Sequence, residues 1–275
     1  MKRRILLLIL LIVAASIIWS LFRWKNNQPE VIEVSDAVTK LLETPQVTED
    51  TVREDKVKLD EKEEPEVIKE KEVTVVDTVK EIIPPEVLLD VPFIVQAPHA
   101  DWELPYSEAC EEASILMVHN FLVNEEVASQ EMMKEQIDSI IFWGDEAFGS
   151  FDTTAQTSSR YFTEKLGYDP ESIHVIYDMT ISDLKAVLAQ GYPVIVPAAG
   201  RELGNKFFQT PGPLYHMLVI VGYDGNEFIT NDPGTRNGEG YRYNEQVLYN
   251  AIHDLTTDLE AITAGRKAMI VVKPS

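Results

Sequence analysis

The chain predicts an α+β domain, on three observations. Helical patterns crowd the stretch from about 108 to 190, and strand-like runs dominate from about 192 onward. Asp224-Gly225-Asn226 then supplies a hairpin signal between two of those runs. Helices first and a mostly antiparallel sheet later argue for N-terminal helices packed on a sheet, not for a wound parallel fold.

In chain order, the first feature is apolar. Ile5 to Phe22 is a run of 18 residues without a charge, between Lys2-Arg3-Arg4 and Arg23-Trp24-Lys25. At about 1.5 Å per residue it is about 27 Å long, close to the hydrocarbon thickness of a bilayer. More cations precede the run than follow it, which favours N-in, C-out. Residues 1–25 are therefore read as an uncleaved membrane anchor with Trp24 at the interface. The competing interpretation is a cleaved secretory signal, with Val13-Ala14-Ala15 as a weak small-residue site. Both place the remainder outside the cytoplasm, tethered to the cell membrane or secreted.

From Asn26 to Ile83 there is no aromatic residue and no glycine, while Glu, Lys, Val and Thr dominate. Such a segment buries too little apolar surface to offset the entropy of ordering it. Residues 26–86 are expected to be an acidic, disordered stalk with a reach of roughly 45 Å.

Order signals begin near Val87, and 87–275 is long enough for one core. A short extended piece is expected at 91–95. Helices follow at about 108–122, 125–140, 154–166 and 181–190, and strands at about 192–198, 215–223 and 227–231. The chain closes with a strand near 240–243, a helix at about 244–253 and a strand at 268–273. Residues 144–152 and 200–208 are read as loops, one lining a cleft and the other forming a mobile rim.

Charge excludes one class of function. The 275 residues carry a net charge of −22, and 91–275 hold 27 acids against 11 bases. A surface of that sign repels nucleic acid and anionic headgroups, so a nucleic-acid partner is not expected. The histidines at 99, 119, 174 and 253 form no metal-ligand spacing, and neither a metal nor another cofactor is expected.

The chemistry centres on Cys110, the sole cysteine of the sequence. Without a partner it cannot form an internal disulfide, which leaves core residue, intermolecular cross-linker or nucleophile. Taken alone, a cysteine on an apolar helix face reads as core. Cys110, Ala113, Met117 and Phe121 form such a stripe, with Glu108, Glu111 and Glu112 off it. Yet Cys110 falls in the first turn, where Ser107 can cap, backbone N–H groups lack partners and the helix dipole favours thiolate. The three glutamates oppose that effect, so a cationic partner is needed. His216 opens the strand Tyr215–Tyr223, and Asp232 ends the next one. If the two strands pair through Asp224-Gly225, Asp232 lies beside His216 and can orient its ring. Taken separately, His216 is a polar strand end and Asn231-Asp232-Pro233-Gly234 an ordinary turn. Gln96, fourteen positions before Cys110, has an amide able to donate to an oxyanion, although alone it reads as a surface residue.

These segments together resemble the C39-like cysteine peptidases, a branch of the papain-like fold. The carriers are Asp90-Val91-Pro92-Phe93 with Gln96, Cys110-Glu111-Glu112-Ala113-Ser114, Tyr215 to Asp224 and Asn231-Asp232-Pro233-Gly234-Thr235. The resemblance covers most of 87–275 and implies a papain-like domain with Cys110 as nucleophile and His216 as general base and acid. It further implies Asp232 as orienter and Gln96 as oxyanion donor. One departure is Glu111, where the family often has glycine. The expected activity is hydrolysis of peptide bonds through an acyl-enzyme, with peptide or protein as substrate. Two rivals share the residues: a catalytically silent module that binds peptide or cell-envelope polymer, and a cell-wall amidase or transpeptidase.

Overall fold

Val, Ile and Met fill the segments 194–199, 215–224 and 268–272, and their hydrophobicity is nearly continuous rather than alternating. Such strands suit a sheet covered on both faces. The computed structural model describes residues 30–43 and 79–274. In chain order it contains strand β1 (Glu30–Val34), helix α1 (Asp36–Leu42), and strands β2 (Val79–Ile83) and β3 (Glu86–Leu88). Helices α2 (Cys110–Val123), α3 (Gln130–Phe148) and α4 (Ala155–Arg160) follow, then strand β4 (Ile173–Tyr177) and helix α5 (Ile181–Ala189). Strands β5 (Val194–Ala199), β6 (Tyr215–Asp224), β7 (Glu227–Asn231) and β8 (Tyr241–Asn244), helix α6 (Glu245–Ala251) and strand β9 (Ala268–Val272) complete it.

The main sheet has the order β4-β9-β5-β6-β7-β8, every pairing antiparallel, and β3 pairs with the far end of β6. Gly222 is required at that junction, because a Cβ there would collide with the Val87 carbonyl. Side chains of β6 alternate between two cores. Met217, Val219 and Val221 pack under α2 and α3, whereas Leu218 and Ile220 pack with residues of α5 and α6 on the other face. Full burial of each such side chain contributes about 1.5–3 kcal/mol. The predicted α+β, papain-like architecture, helices on a mostly antiparallel sheet, is what forms.

Several boundaries differ from expectation. The second helix starts five residues late and runs to Phe148, because Ser129 caps it by accepting from the Met132 N–H and Gly149 (φ 64°) ends it. Most of the loop expected at 144–152 is therefore helix. Residues 91–95 form no strand, and are held instead by Asn231 Nδ2 donating to the Val91 carbonyl. Edge strand β4 was not anticipated, since its side chains are mostly half-buried and lack a strong pattern. At 200–208 a short 3₁₀ turn, Gly200–Leu203, replaces part of the expected mobile rim.

The largest departure lies before residue 87. The stalk expected at 26–86 is, over 30–43 and 79–83, folded onto the domain. β1 and β2 pair antiparallel, and Val34, Val38, Leu41 and Ile83 are buried in the core beside α5. Ser35 caps α1, and its own N–H donates to Asp183 Oδ1 at 2.7 Å. Val34 at the end of β1 and Val38 and Leu41 of α1 form an apolar cluster that average composition conceals. Of the rest of the expected stalk, residues 84–86 lead into β3, and the remainder lies outside the described residues together with the expected anchor. Among the described residues no helix is long and apolar enough to cross a membrane.

Candidate active site

Helix α2 aims its first residue at the end of the sheet. The chain enters it through a 3₁₀ turn at Tyr106–Glu108, and Cys110 is the first helical residue. The N-cap is Ala109 without a side-chain bond, so the cap expected from Ser107 is not made. The glutamates expected to point away do not: Glu111 is 0% exposed and Glu112 6%. Ten of the helix's fourteen residues are buried, so no face is left for them to turn to water.

Cys110 lines a cavity of about 480 Å³ together with Gln96, Glu108, Asp152, Arg201, Phe208 and His216. Its thiol donates to Glu111 Oε2 at 3.0 Å, and Glu111 Oε1 accepts from the Thr153 N–H at 2.9 Å. Burial, followed by the Glu111 carboxyl and Asp152, pushes the thiol well above its ordinary value, with the Met217 N–H opposing weakly. Glu111 is itself raised, by burial and by Glu112. The thiol is thus held in its protonated form at rest, hydrogen-bonded to the Glu111 carboxyl group. The thiolate expected from the helix dipole is overridden by dehydration and neighbouring acids. No hydrogen bond joins Cys110 to His216 among the described residues.

His216 is mounted on β6, 2% exposed, with Nε2 2.8 Å from Asp232 Oδ1. The β6–β7 hairpin brings them together as its expected pairing requires, with a bulge between Ile220 and Gly222. Nδ1 is thereby the ring nitrogen left for the cavity. Phe208 packs edge-on against the ring at a centroid distance of 5.2 Å. Asp232 also accepts from Gly234 N–H, from Asn205 Nδ2 and from the Tyr243 hydroxyl at 2.7–3.0 Å. Burial would raise its carboxyl, but the attraction of His216 and hydrogen bonds from His216, Tyr243 and Asn205 outweigh this and hold it below the usual range. Asn205 and Tyr243 were missed in the sequence. They lie 27 and 11 positions from Asp232, and no local spacing marks them.

Gln96 reaches the cavity wall, but with its polarity reversed. Its Nε2 donates both hydrogens, to the carbonyls of Tyr106 (2.9 Å) and Ser107 (2.8 Å). Two carbonyl acceptors fix the amide's orientation. The oxyanion-donor role implied by the resemblance therefore lacks a free hydrogen here. Gln96 Oε1 is left buried and without a partner among the described residues.

A thiol and an imidazole tied to a carboxylate border one cleft of an α+β domain of papain-like architecture. The model of the Peptidase_C39 like family matches residues 88–256, more than half of the chain, and the chain belongs to that family. A crystal structure described as that of a C39-like peptidase from Bacillus anthracis is 17% identical. It covers 69% of this chain and 98% of its own, with a TM-score of 0.45. No curated protein matches the chain.

Proposed function

We propose that this chain is a thiol hydrolase that cleaves peptide bonds through an acyl-enzyme. The observation that carries the reading is the buried His216–Asp232 pair opening onto the cavity that Cys110 lines. His216 takes the thiol proton as sulfur attacks the carbonyl carbon, then returns it to the leaving amine; water repeats the sequence on the thioester. Asp232, saturated by four donors, keeps the ring oriented and stabilises the imidazolium. The first-turn N–H of Cys110 supplies an oxyanion donor. Because the resting thiol is bonded to Glu111, attack requires the sulfur to turn from Glu111 toward His216. Activation then accompanies substrate binding instead of preceding it.

We also propose that residues 5–22 tether the domain to the cell membrane on its outer side, on the strength of the uncharged run and its flanking cations. Two measurements test these readings. Hydrolysis of peptide substrates by the full chain is expected to fall roughly a thousandfold or more in Cys110→Ala and in His216→Ala, with circular dichroism unchanged. Membrane pelleting that survives deletion of residues 1–25 sinks the tether.

A second reading has its own support. The same Cys110–Glu111 hydrogen bond and raised thiol suit a silent module that binds peptide without cutting it. Peptide that binds the cleft and is recovered intact, with Cys110 alkylated only after denaturation, would select that reading.

A further inference from the structure

The wall of the Cys110 cavity nearest the thiol carries hydrogen-bond acceptors. Glu108 ends the 3₁₀ turn before α2, and Asp152 lies in the loop that delivers Thr153 to Glu111. Both line the cavity, both are half-buried, and no ion pair among the described residues neutralises either. Gln96, 3% exposed, lines the same cavity, and its buried Oε1 has no donor among the described residues. An unpartnered buried acceptor is destabilising, and two half-buried carboxylates repel one another. The remaining surface holds Trp102, Leu259 and Phe208, which suit an aliphatic stem. Arg201, the cation of the lining, has its Nε on the Gly212 carbonyl at 3.3 Å.

We propose that Glu108 and Asp152, on the cavity wall that Gln96 shares, form a subsite for a cationic side chain, an amine or guanidinium on an aliphatic stem, carried by the bound peptide beside the bond to be cut. Its effect on cleavage rests on the thiol-hydrolase reading; its effect on binding does not. The electrostatics agree with the geometry. Burial and then Glu108 raise the Asp152 carboxyl, and Asp152 is among the groups that raise the thiol. A cation bound there acts in the opposite sense on both, so recognition of the basic side chain eases formation of the thiolate.

The test compares peptides identical except for lysine or norleucine at successive positions around the scissile bond, with the full chain as enzyme. At one position lysine is expected to raise kcat/KM by about tenfold or more, and in the double variant E108Q/D152N that ratio is expected to fall to about one. Equal rates at every position, or a ratio that survives the double substitution, overturns the proposal. The same peptides titrated into Cys110→Ala by calorimetry read the subsite without chemistry. There, tighter binding of the lysine peptide that is lost on adding E108Q/D152N supports it, and equal affinities overturn it. No turnover by the wild type alongside lysine-selective binding would sink the hydrolase reading and leave the subsite standing. Glu108→Gln alone gives the same readout if the double variant fails to fold.

Discussion

At the scale of single residues, Glu111 decides how the thiol behaves at rest. It receives the Cys110 hydrogen bond and raises the thiol from 3.0 Å away, after burial the largest influence on it. Glu111→Gln removes the ionisable carboxyl while keeping an acceptor oxygen. We expect the thiol to titrate at lower pH in that variant and iodoacetamide to modify Cys110 faster at pH 7.5, followed by mass spectrometry. An unchanged alkylation rate would contradict this assignment. Cys110, His216 and Asp232 were legible as candidates in the sequence because each stands at a marked place: a lone thiol at a helix start, a histidine opening an apolar strand, an aspartate in a turn. The orientation of Gln96 was not legible. It depends on two carbonyls ten and eleven positions away that only the folded 3₁₀ turn presents to it. The burial of Glu111 was hidden for a similar reason, since a helix surrounded on all sides has no outward stripe to read.

At the scale of elements, α2 carries a second buried acid whose titration couples to folding. Glu112 accepts from the Tyr161 hydroxyl at 2.6 Å, while its other oxygen has no partner. Burial, the largest influence, raises its carboxyl to about 7. A carboxyl that is raised in the folded state binds its proton more tightly there than in the unfolded chain. The stability this contributes is fully present below the unfolded value near 4.5 and is lost as pH rises through about 7. The loss is on the order of 3 kcal/mol. Glu111 and Asp152, also raised, act in the same direction. The melting temperature is therefore expected to fall between pH 5 and pH 8, and Glu112→Gln to flatten the profile and to melt higher than the wild type at pH 8. A wild-type melting temperature that climbs over that interval would refute the assignment. Helices and central strands were legible where capping and periodicity agreed. Edge strand β4 was not, because a half-exposed strand alternates only weakly.

At the scale of the whole molecule, the folded body extends back to residue 30. The segment 30–43 looked unable to fold because its composition was averaged with that of the acidic stretch after it. Half of its residues are apolar, and Val34, Val38 and Leu41 among them meet the ready-made surface of α5. A fragment beginning at residue 87 uncovers that surface and loses four buried apolar side chains: Val34, Val38, Leu41 and Ile83. At about 1.5 kcal/mol or more each before the ordering cost is subtracted, the fragment is expected to melt roughly 10 °C below one beginning at residue 30. Calorimetry on the two fragments measures the difference, and equal melting temperatures would show that the N-terminal segment adds no stability.

The pairing of β1 with β2 also changes how far the cleft can roam. Counting from the apolar run, seven residues, 23–29, precede the first strand, and fully extended they span at most about 25 Å. Where residues 5–22 sit in a bilayer, that short leash confines the cleft to a shallow layer above the lipid. Under the proposed tether, polypeptides passing through that layer come within its range, and those farther out do not.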